Sequence, residues 1–205
     1  MNAQTERRLI DGPAGPLECA IDRPSDAVQG APAGTALLCH PHPLHGGTMD
    51  NKVVQTLARA FVALGFTAVR FNFRGVGGSG GAWDEGRGEV DDVIAVARAL
   101  RDAQRPLALG GFSFGAAMAA RAATTLAPQR LVLVGPAVVN FAPPAVSVPT
   151  LVIHGEADEV VPLSAVLDWA RPQGLPVTVV PGVGHFFHGQ LGLLKQLILG
   201  AWHRP

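Results

Sequence analysis

At 205 residues, 48% hydrophobic and only 16% charged, the chain is long enough to bury a sizeable core and too apolar for a disordered or fibrous protein. Sixteen Lys and Arg balance sixteen Asp and Glu, so net charge gives no reason to expect nucleic acid or an anionic membrane as a partner. Two cysteines, Cys19 and Cys39, are too few for a disulfide framework and point to a reducing compartment.

The first residues, MNAQTERRLIDG, hold no apolar signal region, and no run reaches the ~18 residues of a membrane span, so a cytoplasmic location is expected. Leu9-Ile10 and Leu17–Ile21, set apart by Gly12-Pro13 and Gly15-Pro16, predict a hairpin at a sheet edge. A loop rich in Pro, Gly and Ala follows over 24–34. Thr35–Cys39 reads as a short buried strand ending in His40-Pro41-His42-Pro43-Leu44-His45-Gly46-Gly47. Over 51–64, Val53, Val54, Leu57, Ala58, Phe61 and Leu64 fall on one helical face closed by Gly65. Thr67–Phe73 predicts a strand that runs into Arg74 and a glycine-rich loop, and helix resumes over 89–101. The second half repeats the rhythm: strand 107–110, helix 114–126, strands 131–134 and 150–154, helix near 164–170, strand 177–180, and a last helix from about 189 to 202. Strands alternating with helices predict an α/β fold, a mostly parallel central sheet with helices on both faces, in one domain spanning 1–205.

The stretch from Leu107 to Leu126 organises the rest. An apolar run passes through Gly111-Phe112-Ser113-Phe114-Gly115 into an alanine-rich helix. Strand, G-x-S-x-G, helix resembles the nucleophile elbow of α/β-hydrolases. Such a turn pinches strand and helix together, so a Cβ at 111 or 115 would collide with the crossing chain. Ala116, Ala117, Ala119 and Ala120 then let the helix pack closely on the sheet. In many such proteins a helical cap follows the next strand. Here that gap, 135–149, carries Pro136, Pro143, Pro144 and Pro149, too short and too proline-broken for a lid.

A serine hydroxyl needs a base, and imidazole titrates near working pH. In this fold the base follows the last strand and its acid the strand before. Val177–Val180 leads through Pro181-Gly182-Val183-Gly184 to His185, the preferred base over His188, read as opening the final helix, and His203 at the C-terminus. After strand 150–154 comes His154-Gly155-Glu156-Ala157-Asp158-Glu159-Val160-Val161-Pro162. Asp158 is the expected orienter, with Glu156 and Glu159 as solvated loop charges. The catalytic set is therefore Ser113, Asp158 and His185. Oxyanion donors are expected from the backbone N–H of Phe114 and from the loop after strand 35–39. Pro41 and Pro43 have no N–H, which leaves His42, preferred, or Leu44.

Two patterns invite other readings. Cys39-His40-Pro41-His42 with His45 has metal-ligand residue types, but two prolines stiffen it and no second cluster closes a tetrahedron, so no metal is expected. A hydrogen-bonding role for His40 within the loop is the better reading. Gly75-Val76-Gly77-Gly78-Ser79-Gly80 matches G-x-G-x-x-G, yet no helix opens directly after it to hold a pyrophosphate. Arg74 and these glycines are expected to shape one wall of the pocket.

With HPHPLHGGTMDNKVV, FNFRGVGGSGG, GGFSFG and HGEADEVVP in place, the chain resembles the α/β-hydrolase superfamily along nearly its whole length. More narrowly, it resembles the small bacterial lidless serine hydrolases related to dienelactone hydrolase. The resemblance implies an open sheet of eight-stranded type, a Ser-His-Asp triad, no cofactor, and hydrolysis of small carboxylesters. Dienelactone hydrolase itself uses cysteine where this chain has Ser113, and the HGGG oxyanion motif of lipase-like esterases is absent. The expected partner is a small-molecule ester, with no nucleic acid and no membrane, in a monomer or homodimer. The same residues would serve a thioesterase, amidase or lactonase, and a hydrolase-fold binding protein without turnover is the alternative of a different class.

Overall fold

Residues 5–25 and 32–202 are described by the computed structural model of the chain, so His203 and part of the Pro/Gly/Ala-rich loop lie outside the described residues. The elements run β1 (Glu6–Gly12), β2 (Gly15–Asp22), β3 (Thr35–Cys39), α1 (Lys52–Ala63), β4 (Thr67–Phe71), α2 (Gly88–Leu100), β5 (Leu107–Phe112) and α3 (Phe114–Leu126). They continue with β6 (Arg130–Val134), α4 (Val138–Phe141), β7 (Thr150–Gly155), α5 (Leu163–Ala170), β8 (Val177–Val180) and α6 (Leu191–Trp202).

The strands form one eight-stranded sheet in the order β1-β2-β4-β3-β5-β6-β7-β8. The expected edge hairpin is present: β1 and β2 pair antiparallel, Leu9 opposite Glu18, and β2 runs antiparallel to β4. From β4 to β8 every pairing is parallel. Parallel neighbours need a crossover between them, which is why helices alternate with strands in the sequence. Both faces of the sheet are covered, and β3 and β5 are buried at every position. Successive residues of β3 serve opposite faces: Leu37 packs in the core with Val93, Val96 and Met118, Leu38 in the core with Leu57, Phe61 and Ile198. This is an α/β-hydrolase fold.

Local chemistry sets the boundaries. Asn51 caps α1, its side-chain oxygen accepting from the Val53 and Val54 N–H groups. Glu89, fully buried, accepts from the Asp84 and Gly86 N–H groups and so anchors the start of α2. The last helix begins at Leu191, and His188 lies in the exposed turn before it, not in the helix itself. Between β6 and β7 the chain makes only the single turn α4, so no cap covers the carboxyl end of the sheet. Among the described residues no helix is long and apolar enough to cross a membrane. Cys19 and Cys39 are both free and buried, and burial pushes the Cys19 thiol up to about 12.

The glycine-rich loop differs from expectation. Instead of forming a pocket wall, it is stitched to the β1–β2 hairpin. The Gly80 N–H donates to Pro16 O, the Gly78 N–H to Glu18 Oε2, and Ser79 Oγ accepts from the Glu18 N–H while donating to Asn72 O. Arg74 is buried too, its guanidinium 2.7 Å from Asp92 of α2 and bonded to Gly88 O. A buried cation needs such a partner, and the pairing ties the loop to α2. Trp83, further along the loop, packs against His42 and Phe114 beside the elbow.

Candidate active site

Ser113 stands between β5 and α3 at φ 55 and ψ −117, a conformation that an L-residue adopts only when its surroundings impose it. Its N–H donates to Val134 O of β6 and its carbonyl accepts from the Ala137 N–H. The two glycines are needed for the reason read from the sequence. A Cβ on Gly111 would lie 2.6 Å from Ala116 N and closer still to the Gly115 carbonyl. On Gly115 it would lie 2.5 Å from the Cys39 carbonyl carbon and closer to the Cys39 and His40 oxygens. The loop after β3 thus rests directly on the elbow. Ala116, Ala117, Ala119 and Ala120 are all buried against the sheet.

That loop is organised by its histidines. His40 is fully buried: its Nδ1 lies 2.6 Å from Pro41 O, and its Nε2 accepts the Phe73 N–H at 3.1 Å. The Phe73 donor requires a bare Nε2, so Nδ1 carries the proton. Burial pushes the pKa of His40 down to about 4, which keeps the ring neutral. Both of its nitrogens are used by backbone, and Cys39 is sealed in the core, so neither of these two side chains is free to ligate a metal. His42 Nδ1 accepts from the Leu44 N–H at 3.2 Å. The Leu44 donor is therefore committed, while among the described residues the backbone N–H groups of His42 and Phe114 make no hydrogen bond. The rings of these two residues lie 5.3 Å apart, with Trp83 and Phe141 packed on both.

Past β8, the turn through Gly182-Val183-Gly184 bends back and presents His185 against Phe112, ring centroids 4.8 Å apart. His185 Nδ1 lies 2.7 Å from Asp158 Oδ2, both groups buried. The other carboxylate oxygen of Asp158 accepts from the Val160 N–H at 2.9 Å and the Val161 N–H at 2.8 Å. Burial alone would raise the Asp158 pKa, but the bonds from His185, Val161 and Val160 outweigh it and hold the carboxyl below the usual range. An ionised carboxylate only accepts, so His185 donates through Nδ1 and keeps a lone pair on Nε2. Among the described residues the Ser113 hydroxyl makes no hydrogen bond. Closing the gap between it and Nε2 is a movement that such sites make in the substrate complex.

Sequence reading expected Ser113, His185 and Asp158 to meet at one end of the sheet. The structure bonds His185 to Asp158 there and leaves the Ser113 hydroxyl without a bond among the described residues. Glu156 and Glu159 are exposed as expected, Glu156 accepting from the Gly182 N–H. It missed Gly135. A Cβ there would sit 3.4 Å from the His185 ring and 3.6 Å from Asp158 Oδ2, and its φ is +50. This glycine, directly after β6, whose Val134 O accepts the Ser113 N–H, lets the His–Asp pair approach the elbow; its signal was a lone Gly ending an apolar strand. On the far side, Phe186 packs edge-on to His185 and is 47% exposed, bordering a cleft with Val160 and His188.

A serine on a strained strand–helix elbow, with an Asp-bonded imidazole at the same end of a lidless, mostly parallel sheet, defines an α/β serine hydrolase. The chain is similar to a lidless α/β serine hydrolase of Xanthomonas campestris, 42% identical over 100% of this chain and 99% of that one, with a TM-score of 0.88. It is also similar to an α/β serine hydrolase homologue of Coxiella burnetii, 43% identical over 96% of each chain, TM-score 0.86. An uncharacterized protein of Rickettsia prowazekii is 40% identical over 149 residues, 71% of this chain but 56% of that protein, so the chain spans little more than half the length of that relative. The family model described as serine aminopeptidase, S33, matches residues 42–144, and the chain belongs to this family.

Proposed function

We propose that the chain is a serine esterase acting on small carboxylesters through a Ser113–His185–Asp158 triad and an acyl-enzyme, with no cofactor. Ser113 Oγ attacks the ester carbonyl as His185 Nε2 takes its proton; the same imidazole returns that proton to the leaving alcohol. Water, deprotonated by His185, then attacks the acyl-enzyme, releasing the acid and restoring Ser113. Asp158 holds the productive tautomer and stabilises the imidazolium. The backbone N–H groups of Phe114 and His42 receive the oxyanion, each worth about 10²–10³ in rate. Choice of His42 over Leu44 is supported by the bond that already commits the Leu44 N–H to His42 Nδ1. The observation that carries the reading is the 2.7 Å bond between His185 and Asp158 at the end of the sheet where Ser113 is strained upward.

The partner is accordingly a small ester reaching an uncapped site, and the location is the cytoplasm. Thioester, amide and lactone cleavage use the same groups. Matched p-nitrophenyl ester, thioester and anilide substrates separate these, with fastest turnover expected on the oxygen ester and none in Ser113→Ala. A folded wild-type protein inert on all three classes would replace this reading with that of a hydrolase-fold binding protein.

A further inference from the structure

His154 is the penultimate residue of β7, four residues before Asp158, and its side chain is fully buried. Its Nε2 lies 2.9 Å from Val161 O and 3.5 Å from Asp158 Oδ2, the same oxygen that receives the His185 Nδ1–H. A carbonyl can only accept, so Nε2 carries the proton and aims it into the cusp between that carbonyl and the carboxylate. Nδ1 is then a bare lone pair, and it has no partner among the described residues. Packing alone would be served better by an apolar side chain, because an unpartnered buried nitrogen costs stability.

We propose that His154 is a positioning residue: its Nε2–H braces Asp158 and tempers the carboxylate charge that His185 feels. This rests on the serine-hydrolase reading of the site. Asp158 accepts from the Val160 and Val161 amides on one oxygen and from His185 on the other, and His154 Nε2 stands 3.5 Å from that second oxygen. A donor dipole on Oδ2 draws part of the negative charge away from His185, so the imidazolium gains less from Asp158 than it would otherwise. Burial holds His154 below the usual histidine range, so it acts as a neutral dipole and adds no second positive charge. The other titratable groups on the loops packed here, Glu156, Glu159 and His188, are exposed, and Glu156 is turned to the Gly182 N–H.

The test reads the ring resonances of His154 and His185 by heteronuclear magnetic resonance across pH, with the pH profile of kcat/KM beside it. In the wild-type protein His154 is expected as the Nε2–H tautomer, its Nε2 resonance responding as His185 titrates. H154L removes the donor and is expected to move the His185 midpoint, and the acid limb of kcat/KM, upward by about half a unit to one unit. H154Q places an amide N–H near the Nε2 position and is expected to restore the midpoint. An Nδ1–H tautomer in the wild-type protein overturns the proposal even if H154L fails to fold. So does an unmoved midpoint in a folded H154L. Because the midpoint is read from the rings, an inactive protein would still report it, which separates failure of this proposal from failure of the esterase reading.

Discussion

Gly115→Ala isolates the contact between the elbow and the loop proposed to complete the oxyanion site. The added methyl would stand 2.5 Å from the Cys39 carbonyl carbon and nearer still to two carbonyl oxygens, whereas real Cβ atoms essentially never come within 3.0 Å. The obstacle is backbone, so it cannot rotate away, and the loop must retreat by at least about half an ångström in a close-packed interior. Alanine's helix propensity, worth about 1 kcal/mol over glycine, is outweighed by overpacking of about 1–3 kcal/mol. A retreat of this size moves the His42 N–H off the developing oxyanion. The expected result is a 10- to 100-fold fall in kcat on a short p-nitrophenyl ester with a smaller change in KM. Gly192→Ala is the control: it lies in α6 with nothing within 4 Å of the added methyl, and kcat should not change. A folded Gly115→Ala enzyme with wild-type kcat would refute the reasoning.

Asp158→Asn should cost about 10⁴ in kcat, measured with a melting curve to show that the fold is kept. The Val160 and Val161 amides hold an oxygen at one position, so the new NH2 is forced toward His185 and turns it into the tautomer with a protonated Nε2; activity within tenfold of wild type would contradict this. His40 makes stability pH-dependent. The fold requires it neutral, with its pKa lowered to about 4 from 6.5, so its contribution is complete above pH 6.5 and is lost as pH falls from there to about 4. The loss amounts to about 3 kcal/mol. Urea unfolding between pH 7 and 4.5 should show it, and His40→Gln should flatten the slope; an equally steep variant would be the contrary result.

Most elements were legible because local signals and global packing agree in them. β3, α3 and β8 carry apolar runs whose ends are set by Pro, Gly or the elbow itself, and structure and sequence place them at the same residues. The candidate site residues stand out in the sequence because acyl transfer calls for a serine, an imidazole and a carboxylate at strand ends. What sequence could not show is which loop each side chain meets. Arg74 reads as a pocket residue until Asp92, eighteen positions on, turns out to be buried beside it. Gly75–Gly80 reads as part of a pocket wall until Pro16 and Glu18 of the edge hairpin supply its hydrogen bonds. His154 looks like one more strand residue, and its reach to Asp158 depends on the turn between them.

Every step of the proposed reaction requires Ser113 to be an activated nucleophile. Incubation with a fluorophosphonate followed by peptide mass spectrometry tests that most directly. One phosphonyl adduct on Ser113, absent from Ser113→Ala, is the predicted result. A folded wild-type protein that takes no label, or takes it at another residue, would contradict it.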